Sequence, residues 1–276
     1  MLNNNGQTNL RTEQRNEASR NIHKMDTLSM LRLINQENRN SVEAVELALE
    51  RVAQACDVIA QRIANGGRLF YIGAGTSGRL GVMDAAECPP TYGVPKDQVI
   101  GIIAGGDGCL RSAAEAQEDD PQAAVTDLKA YNLCDKDVVV GISASGGASY
   151  VVGALSYANQ VGAFTISLCS NPDSPMEQQA KIGIVTDTGP EVITGSTRMK
   201  SGNAQKFVLN MLSTVAMVKN GKVYENLMIN LKPSNQKLRN RMVGIVIQIL
   251  GCEPEKAVKL LEENQWSIQN VIDHQT

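Results

Sequence analysis

Two short stretches of the chain put glycines and hydroxyls together. One is Gly73-Ala74-Gly75-Thr76-Ser77-Gly78-Arg79 and the other Ser143-Ala144-Ser145-Gly146-Gly147. Glycine lets a backbone approach a ligand closely, and a helix N-terminus offers unpaired N–H groups to an anion. The hydroxyls of Thr76, Ser77, Ser143 and Ser145 add donors. Together they suit a terminal phosphate, which presents more acceptor oxygens than a pyrophosphate bridge. The plainer alternative is two strand-to-helix turns capped by Ser or Thr. Gly73-x-Gly75-x-x-Gly78 also matches the dinucleotide fingerprint in form. That fingerprint needs an acidic residue about 20 positions on, at the end of the next strand. Pro95-Lys96-Asp97-Gln98 stand there instead, at a strand start, and Asp107 comes too late. A phosphate monoester is the better reading.

Two carboxylates are candidates for proton transfer. Glu87 lies in Ala86-Glu87-Cys88-Pro89-Pro90. A residue before proline is pushed out of the helical region, so the helix begun near Ser77 is expected to stop here. Glu87 would then face the negative end of the helix dipole, which raises a carboxyl pKa and suits a general acid. Glu118 lies in Glu115-Ala116-Gln117-Glu118-Asp119-Asp120-Pro121, where crowded like charges do the same. Glu115, one turn away, is the fallback. For either residue the alternative is a solvated glutamate at a helix end. Ser196, Thr197, Arg198 and Lys200 open a long apolar helix, expected over about 198–219. Two hydroxyls and two cations at a helix N-terminus form a plausible anion site, although Ser196 could simply be a cap. His23 and His274 are the only histidines, and neither has a partner motif.

Elements must position these groups. Near-continuous apolar runs at 68–73, 99–104, 137–143, 163–169 and 182–187 read as strands covered on both faces. Helix-compatible segments alternate with them, which implies a parallel α/β sheet with right-handed crossovers. Apolar residues at helical spacing predict helices over 26–36 and 41–65, the second starting at Ser41. Further helices are expected over 236–250 and 254–264. Met199, Met211 and Met217 read as core packing. Residues 1 to about 20 lack periodicity and read as disordered or as an arm that orders on a partner.

Composition narrows the class. The chain has 276 residues and is 42% hydrophobic, enough for one sizeable core plus an appendage. Its net charge of −3 and 4% aromatic content argue against a nucleic-acid surface or a membrane surface. No apolar run approaches a membrane span, and the polar N-terminus does not read as a signal peptide. Cys56, Cys88, Cys109, Cys134, Cys169 and Cys252 are scattered without a CxxC, so no metal site is expected and a reducing cytoplasmic setting is.

Longer blocks carry a resemblance. GAGTSGRLGVMDAAECPPTYG (73–93), IIAGG (102–106), GPEVITGSTRMKSGNAQK (189–206), LNMLST (209–214) and GKVYENLM (221–228) resemble the N-acetylmuramic acid 6-phosphate etherases of the sugar isomerase (SIS) fold family. TEQRN (12–16) and LINQEN (33–38) fit as well. The resemblance implies an SIS-type parallel sheet sandwiched by helices, with a small helical C-terminal segment similar to a ubiquitin-associated domain. It divides the chain into an N-terminal arm (1–25), a phosphosugar-binding domain (26–230) and that segment (231–276). The implied activity removes D-lactate from carbon 3 by elimination and then adds water, without metal or redox cofactor, in cell-wall sugar recovery. The family's acid falls on Glu87 and its second glutamate, the base, on Glu118. Charge further suggests that Arg198 pairs with the sugar's carboxylate. A homodimer is implied, with His23 and the N-terminal arm near a neighbouring site.

The chain also departs from the pattern. The family usually reads Ala-Ser-Gly-Arg-Thr-Pro-Tyr after the third strand, and this chain has Ala144-Ser145-Gly146-Gly147-Ala148-Ser149-Tyr150. If the missing side chains grip the sugar, affinity differs, and Ser149 is placed to restore a hydroxyl. The etherases usually continue with another helical stretch after a segment like Gly251–Ile272. The rival reading is a phosphosugar-sensing regulator without catalysis, because glucokinase regulatory proteins share the 189–206 type of block. A sugar phosphate isomerase is a weaker third.

Overall fold

Five short runs rich in Val, Ile and Leu form one parallel sheet. They are β1 (Leu69–Gly73), β2 (Val99–Ile103), β3 (Val138–Ile142), β4 (Phe164–Cys169) and β5 (Ile182–Val185). The structure, a computed structural model, describes residues 10–112 and 115–275. The strand order is β2-β1-β3-β4-β5. Gly73 pairs with both Ile103 and Ile142, so the C-terminal ends of β1, β2 and β3 are level. The chain leaves β1 toward β2 and then crosses back to β3. That reversal opens a crevice above β1 and β3, where ligands of such sheets bind.

Side chains alternate across the sheet and build two apolar layers. Leu69, Tyr71, Val138 and Val140 pack under α1 (Thr27–Ala64), α2 (Gly75–Tyr92) and α6 (Lys200–Lys219). Phe70, Ile72 and Val139 face α3 (Pro121–Ala130), α4 (Ser149–Val161) and α5 (Pro175–Gln179). A third apolar cluster lies at the C-terminal end. Met242, Val246, Leu261, Ile268 and Ile272 join α7 (Gln236–Leu250), α8 (Pro254–Glu263) and α9 (Ile268–Gln275). The hairpin β6 (Val223–Tyr224) and β7 (Leu227–Met228) packs on that cluster, and the Arg239 guanidinium lies 4.9 Å over the Trp266 ring. Met217 is fully buried, in keeping with a core role.

Four local expectations are corrected. The two helices predicted around 26–65 are one, because Asn35–Asn40 contains no proline or glycine to break it. Ser41 caps nothing there; its buried hydroxyl donates to the Lys200 carbonyl oxygen at 3.0 Å. α2 does not stop at Cys88. It carries Pro89 and Pro90 in its last turn and ends at Gly93, whose φ of +67° suits glycine and whose N–H bonds the Pro89 carbonyl. The long helix begins at Lys200, leaving Ser196–Arg198 in the loop before it.

The fourth concerns the N-terminal arm. Its residues 1–9 lie outside the described residues. From Leu10 onward it forms three 3-10 turns, Arg11–Glu13, Glu17–Ser19 and Ile22–Lys24, bound to its own chain. Arg11 pairs with Asp187 at 2.8 Å, the Asn16 amide donates to Glu37 and to the Pro190 carbonyl, and Ser19 donates to the Val192 carbonyl. His23 is exposed on this segment. Among the described residues, no helix is long and apolar enough to cross a membrane.

Candidate active site

A pocket of about 420 Å³ opens at the C-terminal ends of β1 and β3. The two hydroxyl loops form adjoining walls: Ala74–Ser77 after β1 and Ser143–Ser145 after β3. Thr76, Ser77, Ser143 and Ser145 therefore converge. The second loop is tied by its own hydroxyls. Ser143 Oγ accepts from the Gly146 N–H at 3.2 Å and lies 3.3 Å from Ser145 Oγ. No side chain caps α2 at Ala74, and the first N–H groups of a helix lack intrahelical partners. Those groups, on pocket-lining residues, suit an anion.

Glu118 reaches the same pocket from the 3-10 turn Glu115–Asp119. A Cβ added to Gly75 would sit only 3.2 Å from Glu118 Oε1, and the Gly75 φ of +53° already favours glycine. Glycine at this position brings the carboxylate against the start of α2. Asp120 shares none of this, because it caps α3 by accepting from Gln122 and Ala123 N–H. The fallback Glu115 lies in the same turn; its side chain is outside the described residues. Arg79 holds the approach to that turn, donating to the carbonyls of Cys109, Leu110 and Ser112. Ser196, Thr197 and Arg198 line the same pocket, with Arg198 exposed.

The structure does not bring every expected residue here. Lys200 is buried at 1% exposure, and its Nζ lies 2.6 Å from Glu37 Oε2, away from the pocket walls. The N-terminus of α6 is also filled: the buried Glu191 carboxylate accepts from the Lys200 and Ser201 N–H groups at 3.0 Å each. The anion site expected there already holds a protein carboxylate. Glu87 is exposed on α2, eleven residues beyond Thr76 and so on the order of 16 Å away along the helix. It borders a separate groove with Lys96, Lys232 and Arg241. Within one chain Glu87 and Glu118 line separate pockets.

Sequence comparison decides the family. The chain is 53% identical over 258 residues to an N-acetylmuramic acid 6-phosphate etherase of Clostridium botulinum (strain Okra / Type B1), spanning 94% of this chain and 85% of that protein. The chain belongs to the N-acetylmuramic acid 6-phosphate etherase family. An etherase of Actinobacillus pleuropneumoniae serotype 5b (strain L20) is 54% identical over 256 residues, covering 92% of this chain and 84% of its own length. Residues 51–159 match the glucokinase regulatory protein N-terminal SIS domain, and residues 121–215 the SIS domain. Among solved structures, E. coli CFT073 c3406 superposes with a TM-score of 0.53 at 18% identity, over 73% of this chain and 97% of that one. A phosphoheptose isomerase from Francisella tularensis has the same TM-score at 14% identity, over 70% of this chain and all of its own. These two share the fold.

Against the etherase pattern, the altered segment lies beside the pocket. Ala148 lines it, whereas Ser149 starts α4 and is not a wall residue. Two residues at this pocket escaped residue-by-residue reading. Gln205, on α6, accepts from Ser77 Oγ at 2.9 Å through Oε1, while its Nε2 is buried without a partner. Turning that amide would let Nε2 donate to Ser77 and free the hydroxyl proton for a ligand. Glu13 lines the pocket from the N-terminal segment. Both lie inside the family-like blocks, which was the one signal for them. Burial pushes the thiols of Cys56 and Cys169 to about 11 and that of Cys88 to about 12, so these are inert packing groups.

Proposed function

We infer that the protein cleaves the D-lactyl ether of N-acetylmuramic acid 6-phosphate, giving N-acetylglucosamine 6-phosphate and D-lactate. Membership of the etherase family supports this reaction over a sensor role. The observation that carries the site assignment is the single pocket holding both hydroxyl loops and Glu118. The phosphate sits on the N–H groups of α2 with the hydroxyls of Thr76, Ser77, Ser143 and Ser145. Ser196 and Thr197 border the sugar, and Arg198 takes the lactyl carboxylate. Lys200 supports the loop from behind.

Glu118 is the base for the carbon 2 proton, which is acidified by the carbon 1 aldehyde of the open-chain sugar. Loss of that proton and of the carbon 3 oxygen forms a double bond and releases D-lactate. Water then adds its hydroxyl to carbon 3 and a proton to carbon 2. Glu87, as the acid, acts on a neighbouring chain's sugar in a homodimer. A groove of about 680 Å³ between α1 and α6 supports that assembly. It is lined by Val42, Leu49, Phe207 and Met211, with Val42 56% exposed, and a second copy is the occupant that would cover it. A cytoplasmic setting accords with six free cysteines.

The test is D-lactate release from N-acetylmuramic acid 6-phosphate, by the protein and by mixed variants. Wild type should release lactate, and Glu87→Gln and Glu118→Gln alone should not. Mixing the two variants should restore part of the rate, since one mixed site then holds both intact glutamates. No lactate from wild type refutes the reaction; no recovery on mixing refutes the role given to Glu87.

A further inference from the structure

The pocket has a wall that neither phosphate binding nor proton abstraction uses. Glu13 lines it, and its Oε2 lies 3.1 Å from where a Cβ on Gly195 would stand. The carboxylate thus rests against the 195–198 loop.

Its position is built in. Asn171, 3% exposed, fixes the two residues before Glu13 in sequence. Its Oδ1 accepts from the Arg11 N–H at 2.7 Å, and its Nδ2 donates to Thr12 Oγ1 at 3.1 Å. The same Nδ2 donates to the Ala144 carbonyl at 3.0 Å, and the Ser145 carbonyl is 3.4 Å away. One buried amide therefore bolts the N-terminal segment to the second hydroxyl loop. Arg11–Asp187 and Asn16–Glu37 fasten the segment on either side. Glu13 projects from this anchored stretch into the pocket, in register with the phosphate loops.

We propose that Glu13 is a substrate-binding carboxylate, supplied by the N-terminal segment as a fixed wall of the site, that accepts a hydrogen bond from a neutral donor of the amino sugar, a ring hydroxyl or the acetamido N–H. A carboxylate here also repels a phosphate, which disfavours a ligand entering with its phosphate toward this wall. The proposal rests on the phosphosugar reading above and adds a residue to it.

The test pairs kinetics with calorimetry on the full chain. In Glu13→Gln, KM should rise and the affinity for N-acetylglucosamine 6-phosphate should fall, each roughly ten- to hundredfold, as for the loss of a charge-assisted hydrogen bond. kcat should change less than KM, and Glu13→Asp should recover part of the affinity. Asn171→Ala should give the same KM defect with Glu13 intact, because the wall is unbolted. If Glu13→Gln binds the sugar phosphate within twofold of wild type, the proposal is overturned. Calorimetry keeps the two readings separate. A wild type that binds the sugar phosphate but releases no lactate refutes the etherase reaction, and the affinity of Glu13→Gln still decides the role of Glu13.

Discussion

The N-terminus of α2 and the N-terminus of α6 look alike in sequence and differ in the fold. Thr76, Ser77 and Arg79 open α2, and Ser196, Thr197 and Arg198 precede α6. At α2 the Ala74 side chain offers no cap, and the first residues of the helix line the pocket beside the Glu118 carboxylate. At α6 the buried Glu191 occupies the same kind of N–H groups, and Lys200 is neutralised by Glu37. One helix end therefore opens on a pocket, and the other is closed by the protein's own carboxylates. A helix N-terminus attracts negative charge wherever it lies. What makes it a candidate binding site is that it opens on a pocket.

Three substitutions test that contrast, in order of expected effect. At the open end, Glu118→Gln should lower kcat for lactate release by about a hundred- to ten-thousandfold, the range for a general base. Binding of N-acetylglucosamine 6-phosphate should stay within severalfold, measured by calorimetry. A matching loss of binding would mean that Glu118 holds the ligand and moves no proton.

At the closed end, the larger effect should be on stability. Glu37→Gln strands the buried Lys200 ammonium and should cost about 3–5 kcal/mol in denaturant unfolding. The double variant Glu37→Gln with Lys200→Met should recover much of that loss, since no unpaired charge remains. If Glu37→Gln unfolds like wild type and instead weakens sugar phosphate binding, the closed end belongs to the site after all.

The smallest effect belongs to the far ends of β1 and β3. There Arg68 pairs with Asp137 at 2.7 Å, beneath the two strands that carry the pocket. Burial pushes the Asp137 carboxyl up, but the bonds from Arg68 and the Cys134 N–H outweigh it and hold it below its usual value. A carboxylate depressed in the folded state stabilises above its unfolded pKa, about 3.9, and loses that contribution as pH falls through the folded value. Asp137→Asn should thus be less stable than wild type at neutral pH, and the gap should close below about pH 4. Its kcat and KM should match wild type.

Much of the fold was legible because it rests on local pattern. The strand runs 68–73 and 137–143 held to within a residue at each end, since a strand buried on both faces reads as continuous Val and Ile. The stop expected at Cys88 was wrong because tertiary packing outweighed the proline rule. Cys88 and Tyr92 are buried, the Tyr92 hydroxyl bonds Thr214 on α6 at 3.1 Å, and the helix runs on to Gly93. The N-terminal segment was misread for a related reason. Its polar residues have no periodicity, yet Asn16, Ser19 and Arg11 each meet a distant partner on the domain.

The sequence by itself determined the parallel sheet, the two hydroxyl loops and the family, because glycine spacing, apolar runs and long shared blocks are local properties. Tertiary packing set which polar groups face the pocket. It set Glu118 beside Gly75, brought Glu13 in through a buried asparagine, sealed Lys200 against Glu37 and left Glu87 on the outer face of α2. Two of those outcomes depend on pairings between residues more than a hundred positions apart, Asn171 with Thr12 and Lys200 with Glu37, and no local spacing encodes them.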